Sequence, residues 1–151
     1  MRKINVFICY SSKDDHIAGA IKSIYENYVG FETFLAHDNL SVSDNWPKGV
    51  RKSLGKAEYI VPIISSNFQC SAFANQEIGL SLAWGKYIMP ISIDRTDPPG
   101  FISLIQAHKC HTITEDELLK AVTKIYFLAF QHPKYQRFQA RCIDGLVEAF
   151  C

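Results

Sequence analysis

Ile4-Asn-Val-Phe-Ile-Cys-Tyr10 is rich in β-branched and aromatic residues and reads as a buried strand. The period then changes. Ser12 with Asp15 three positions on offers a start like a capping box, the shorter Asp standing in for Glu. Ile17, Ile21, Ile24 and Tyr28 mark one face of the helix that follows, Gly30 ends it, and Phe31–His37 resume as a second strand. A strand, a helix and a strand in this order predict a parallel pair joined by a crossover.

The alternation continues outward from that unit. Residues 38–46 are polar and without periodicity, which predicts a surface loop. Pro47 is tolerated only in a first helical turn, so a short helix should start near Asp44 or Asn45 and run to Lys56. Tyr59–Ile64 reads as a third strand, although its Pro62 has no ladder donor. Ser71 is placed to cap a helix through Trp84 that Gly85 closes, and Tyr87–Ile93 reads as a fourth strand. Asp94–Ile113 is irregular, broken by Pro98, Pro99 and Gly100, with room for a short strand near Cys110–Ile113. Thr114 and Glu117 form the capping box of a helix that buries Leu118, Val122, Ile125 and Ala129. After Pro133, residues 134–150 carry a further amphipathic pattern at Tyr135, Phe138, Cys142, Leu146 and Phe150. These readings divide the chain into a domain over 1–131 and, over 132–151, an amphipathic helix that extends it or begins a connector. The absence of a polar tail after Phe150 favours a longer parent chain.

A length of 151 residues argues for one domain, and a chain of this size buries roughly 70% of its unfolded surface without help from metals or disulfides. Sixteen Lys/Arg against fifteen Asp/Glu leave a formal charge of +1, which excludes the basic footprint of a general nucleic-acid binder. Apolar runs such as Tyr59–Ile64 are far shorter than the about 20 residues needed to cross a bilayer, so no membrane partner is expected. Five scattered cysteines without a C-x-x-C pair suit a reducing cytosol, and a cytoplasmic location is expected. Right-handed crossovers narrow the strand–helix alternation to an α/β fold, a flavodoxin-like doubly wound parallel sheet of order 2-1-3-4-5 with helices on both faces. In such sheets ligands sit beyond the carboxyl ends of the strands, at the switch between strands 1 and 3. That geometry points to Cys9–Ser12, Ser65–Ser71 and the start of the helix after strand 3.

No dinucleotide-binding glycine fingerprint, phosphate-binding P-loop, nucleophile elbow or H-E-x-x-H is present. His108-Lys-Cys-His111 lacks a fourth ligand at a usual spacing, and no metal site is expected. The informative segment is Ser71-Ala-Phe-Ala-Asn-Gln-Glu77. Glu77 falls on the second turn of its helix, at the predicted mouth, with Phe73, Ser81 and Trp84 at helical spacing from it. A carboxylate there is assisted by the positive helix end and flanked by aromatic surface able to stack on a planar ring. The same residues also fit a solvated Glu beside ordinary core aromatics, and spacing alone does not separate the two.

Val6-Phe-Ile-Cys-Tyr-Ser-Ser-Lys-Asp-Asp15 resembles the first box of Toll/interleukin-receptor (TIR) domains, a hydrophobic-F-I-S-Y/H strand leading into a polar turn and helix. Phe34-Leu-Ala-His-Asp38 followed by Asp44-Asn-Trp46 looks like the prokaryotic, defence-type branch of that family. Ile63-Ile-Ser-Ser-Asn-Phe68 with Ser71–Glu77, and Tyr87-Ile-Met-Pro-Ile91, resemble its third strand with the succeeding helix and its fourth strand, so the likeness runs in order over about residues 4–130. The resemblance implies the doubly wound fold and, for many members, cleavage of NAD⁺ by the glutamate of a W-x-x-x-E pattern. By position that glutamate is Glu77, with Phe73 in place of the tryptophan and Ala74 where a cysteine is common. NAD⁺ is then substrate, and no resident cofactor is expected. Tyr10, Ser11, Ser12, Phe73, His37, Asp38 and Trp46 are the candidate substrate-binding residues, although turn-forming, capping or core-anchoring roles fit most of them equally. The likeness also implies assembly with other TIR domains through the loop over 38–46, and a fused or separate effector. The enzyme reading is an NAD⁺ nucleosidase or cyclase of antiviral defence, active on assembly. The other is a non-catalytic TIR–TIR interaction module, an adaptor or host-mimicking scaffold.

Overall fold

Asn5–Cys9 forms β1, and its side chains alternate between two cores. The computed structural model describes residues 3–28, 31–35 and 46–131. Val6 and Ile8 pack on one side of the sheet with α1 (Asp15–Tyr28) and α5 (Glu115–Gln131). Phe7 and Cys9 pack on the other, with α2 (Trp46–Lys56), α3 (Ser66–Gln69) and α4 (Ala72–Ala83). Tyr59–Ile64, which is β3, repeats the division: Tyr59, Val61 and Ile63 face α1 and α5, while Ile60 and Ile64 face the other layer. Every residue of β3 is buried, as expected of a parallel strand covered on both faces. Each fully buried isoleucine or phenylalanine of this kind contributes about 1.5–3 kcal/mol.

The sheet runs β2 (Glu32–Leu35), β1, β3, β5 (Ile91–Ser92), β6 (His108–Lys109), with β4 (Tyr87–Ile88) also on β3, and every pairing is parallel. The doubly wound sheet expected from the sequence is borne out, and the chain reverses its winding direction between β1 and β3. The fourth strand, expected as one piece over Tyr87–Ile93, is instead split into β4 and β5. The register explains the split. Ile60 pairs with Ile88 and Ile64 with Ser92, so Pro62 stands opposite Pro90 and has no N–H with which to make the rung between them. The ladder resumes on either side, with Met89 N donating to Ile60 O at 2.9 Å and Ile93 N to Ile64 O at 3.0 Å.

Local signals held where a side chain could cap its own helix. Ser71 Oγ accepts from Ala74 N at 3.3 Å, Gly85 takes φ +64° just past α4, and Thr114 Oγ1 accepts from Glu117 N at 3.4 Å. Three details differ. Ser11, not Ser12, caps the first turn: its Oγ accepts from Lys13 N at 3.4 Å, and Ser12–Asp14 is a tight turn ahead of α1. The edge strand is His108–Lys109 rather than Cys110–Ile113, although Cys110 N still donates to Ser92 O at 2.9 Å. The stretch after β3 contains α3, capped by Ser65, whose Oγ accepts from Phe68 N at 3.0 Å. The loop expected up to residue 45 and the extension over 132–151 lie outside the described residues.

Asp14 joins the two loops that leave the carboxyl ends of β1 and β3. It is buried and accepts from Ser65 Oγ at 2.5 Å and from Asn67 Nδ2 at 3.0 Å. Removing that carboxylate strands a buried hydroxyl and an amide at once. Asp14→Ala is expected to lower unfolding free energy in urea by about 2–4 kcal/mol, against about 1 kcal/mol for Asn67→Ala.

Candidate functional site

Cys9, the last residue of β1, meets α4 at the carboxyl end of the sheet, beside the point where its winding reverses. The buried stripe of α4 is Ala74, Glu77, Ile78 and Ser81, a spacing that follows the helical period. One charged side chain therefore lies in an otherwise small and apolar seam. Glu77 is 4% exposed. Its Oε2 accepts from the Cys9 thiol at 2.9 Å, and the same sulfur lies 3.3 Å from Ala74 O. Its Oε1 is buried and has no hydrogen-bond partner among the described residues.

Burial pushes the Glu77 carboxyl up from an ordinary value of 4.5 to about 7, and the Cys9 hydrogen bond offsets part of that rise. The Cys9 thiol is itself held well above its usual value, first by burial and then by the neighbouring carboxylate. It therefore stays protonated and serves as a donor. Ser81 Oγ turns back to its own helix, donating to Glu77 O at 2.7 Å.

The sequence expectation placed Phe73, Ser81 and Trp84 on the face of Glu77. Ser81 is buried there, but Phe73 and Trp84 are 53% and 41% exposed. At about 100° per residue both fall roughly 70–90° round the helix from the centre of the buried stripe, so they stay exposed instead of burying within it. Tyr10 belongs to the opposite core by strand alternation, and its hydroxyl donates to Asp15 Oδ1 at 3.3 Å. Ser11 is buried in its capping role and Ser12 is exposed, both at the carboxyl end of β1. His37 and Asp38 lie outside the described residues, and Trp46 opens α2 with its side chain likewise outside them. Among the described residues no three His, Cys, Asp or Glu side chains converge as a metal site. His108 is half-buried, which lowers its pKa, and His111 is exposed.

Cys9 lay within the stretch Cys9–Ser12 expected at the site but was given no role there, and Asp14 was not singled out at all. The signal for Cys9 was available, because period two places it with Phe7 on the side of α4. Asp14 carried none, since nothing local distinguishes it from Asp15 beside it.

The TIR domain family matches residues 6–125. The chain belongs to the TIR domain family. No curated protein matches it. Among solved structures, the TIR domain of the Toll-related receptor TRR-2 from Hydra magnipapillata is similar at 13% identity and TM-score 0.68, over 84% of this chain and 98% of that one. The CMP N-glycosidase BcmB of Clostridium botulinum is similar at 16% identity and TM-score 0.53, over 80% and 98%. The TIR domains of the activated Roq1 resistosome, which recognises the pathogen effector XopQ, match at 16% identity and TM-score 0.51, over 97% and 82%. These likenesses establish a shared fold. No helix among the described residues is long and apolar enough to cross a membrane.

The raised carboxyl of Glu77 has a consequence for folding that needs no ligand. The folded protein holds this proton above the pH at which the unfolded chain has released it, so stability is lost as pH rises from about 4.5 to about 7. Glu77→Gln lacks that titration. Relative to wild type, it should therefore gain up to about 3 kcal/mol in unfolding free energy between pH 4.5 and pH 8, measured by urea denaturation across that range.

Proposed function

We propose that this TIR domain cleaves the nicotinamide–ribose bond of NAD⁺. The products would be nicotinamide and ADP-ribose or a cyclic ADP-ribose, in prokaryotic antiviral defence signalling switched on by assembly. The observation that carries the reading is the Glu77 carboxyl: one oxygen held by Cys9, the other buried without a partner among the described residues, at the carboxyl end of β1 where the winding of the sheet reverses. The fold is one that a CMP N-glycosidase also uses.

The chemistry asks little of the protein. Nicotinamide leaves as a neutral molecule, taking the electron pair of the broken bond, so its departure needs no general acid. The ribose left behind is oxocarbenium-like. Ionised Glu77 can accept a hydrogen bond from a ribose hydroxyl and stabilise the positive charge that develops on the ring. Water then bonds to the anomeric carbon and loses a proton, giving ADP-ribose. Attack by a nucleophile of the same molecule gives the cyclic product. Sheltering of Glu77 within the single domain is the reason to place activation at assembly, through the loop over 38–46, with an effector downstream.

The second reading, a non-catalytic TIR–TIR interaction module, is favoured by Phe101 and Leu104, which are 89% and 97% exposed beside a short turn of helix. One experiment separates the two. Concentrated protein incubated with NAD⁺ should release nicotinamide, followed by chromatography. Glu77→Gln should lower turnover at least about 100-fold, roughly 3 kcal/mol of transition-state stabilisation. Full activity in Glu77→Gln would remove Glu77 from the reaction, and no release from the concentrated wild type would leave the interaction module.

A further inference from the structure

We infer that Cys9 is the positioning residue of Glu77: its thiol claims one carboxyl oxygen and thereby leaves Oε1 as the oxygen offered to a ligand hydroxyl. The inference deepens the function proposed above and rests on it for its catalytic meaning, although the contact itself does not.

A glutamate side chain has three rotatable torsions, and a carboxylate in a seam of alanine, isoleucine and serine has little to hold it. The thiol supplies that hold. Cys9 ends a central strand whose backbone is paired on both sides, so its sulfur is placed by the sheet and not by a loop. It lies 2.9 Å from Oε2 and is wholly buried. Among the described residues no other hydrogen-bond donor reaches the carboxyl. The elements packed most closely on α4 are β1, α3 and β4, and α2 shares its core, with Lys48, Arg51, Lys52 and Lys56 all exposed. β1 offers Cys9, α3 offers no titratable group, and β4 carries Tyr87, whose ring rests against Tyr59 with centroids 6.1 Å apart. β1, α3, α4 and β4 carry no lysine, arginine or histidine, Glu77 is the sole charged residue of α4, and Lys86 between α4 and β4 donates to Gly55 O and Ala57 O.

The arrangement has two chemical consequences. A neutral thiol donor holds the carboxylate in place without neutralising it as a lysine or arginine would, so its full charge remains for an electron-poor sugar. Burial raises the pH above which the carboxylate is available, and the thiol, by stabilising the ionised form of Glu77, lowers it in part.

The test follows the Glu77 carboxyl by carbon NMR of labelled glutamate in the ligand-free protein, with Glu77→Gln to assign the resonance. The pH profile of nicotinamide release is measured in the same proteins. Cys9→Ala should move the Glu77 midpoint, and the acidic limb of kcat/KM with it, upward by about one pH unit. Cys9→Ser, which keeps a donor, should return both towards wild type. In wild type, the S–H stretching band of Cys9, isolated by difference against Cys9→Ser, should shift as Glu77 titrates. This last measurement holds even where Cys9→Ala does not fold. A Glu77 midpoint unmoved in folded Cys9→Ala, or a thiol band blind to the titration, would overturn the inference. Movement of both without any nicotinamide release at any pH would uphold the positioning contact and sink the NAD⁺ reading instead.

Discussion

Two central strands buried on both faces constrain everything else in this domain. β1 and β3 have no solvent side, so each successive residue must be matched by a helix layer above or below the sheet. Their parallel pairing forces long crossovers, and the right-handed sense of those crossovers puts α1 and α2 on opposite faces. The crevice at the carboxyl ends is a by-product: where the chain turns one way after β1 and the other way before β3, the loops diverge. Asp14 then spans that divergence, tying the turn after β1 to the cap of α3.

Within this frame a buried carboxyl is an expensive feature. Glu77 sits against a sulfur and a row of small residues, and its second oxygen finds no donor among the described residues. In a core selected only for stability, glutamine or an apolar residue would cost less. The orphaned oxygen, the raised pKa and the position at the winding switch all concern one side chain. That coincidence is the physical ground on which Glu77 is proposed as the functional carboxyl, since perturbed pKa values cluster at functional sites.

Much of the architecture was legible because its causes are local. Period-two and period-3.6 patterns marked β1, β3, α1 and α5, Ser71 and Thr114 announced their helix starts through side chains that cap their own backbone, and Gly85 announced a helix end by taking a positive φ. Misreadings arose where partners are remote. Ser11 rather than Ser12 is the cap, and the turn that it opens ends at Asp14, whose partner Ser65 lies across the sheet. The break between β4 and β5 depends on Pro62 facing Pro90, a register that neither proline reveals alone.

The chain's own order of residues was enough to determine the doubly wound sheet, the family, and the placement of Glu77 on the second turn of the helix after β3. Each follows from spacing along one segment or from the succession of segments. Only the folded structure decided that Glu77 points inward to a thiol, that Phe73 and Trp84 stay exposed, and that Tyr10 serves the opposite core. The physical reason is that a side chain's solvation and hydrogen-bond partner depend on what the sheet brings across from β1. Cys9 and Glu77 are 68 residues apart in the chain and 2.9 Å apart in space.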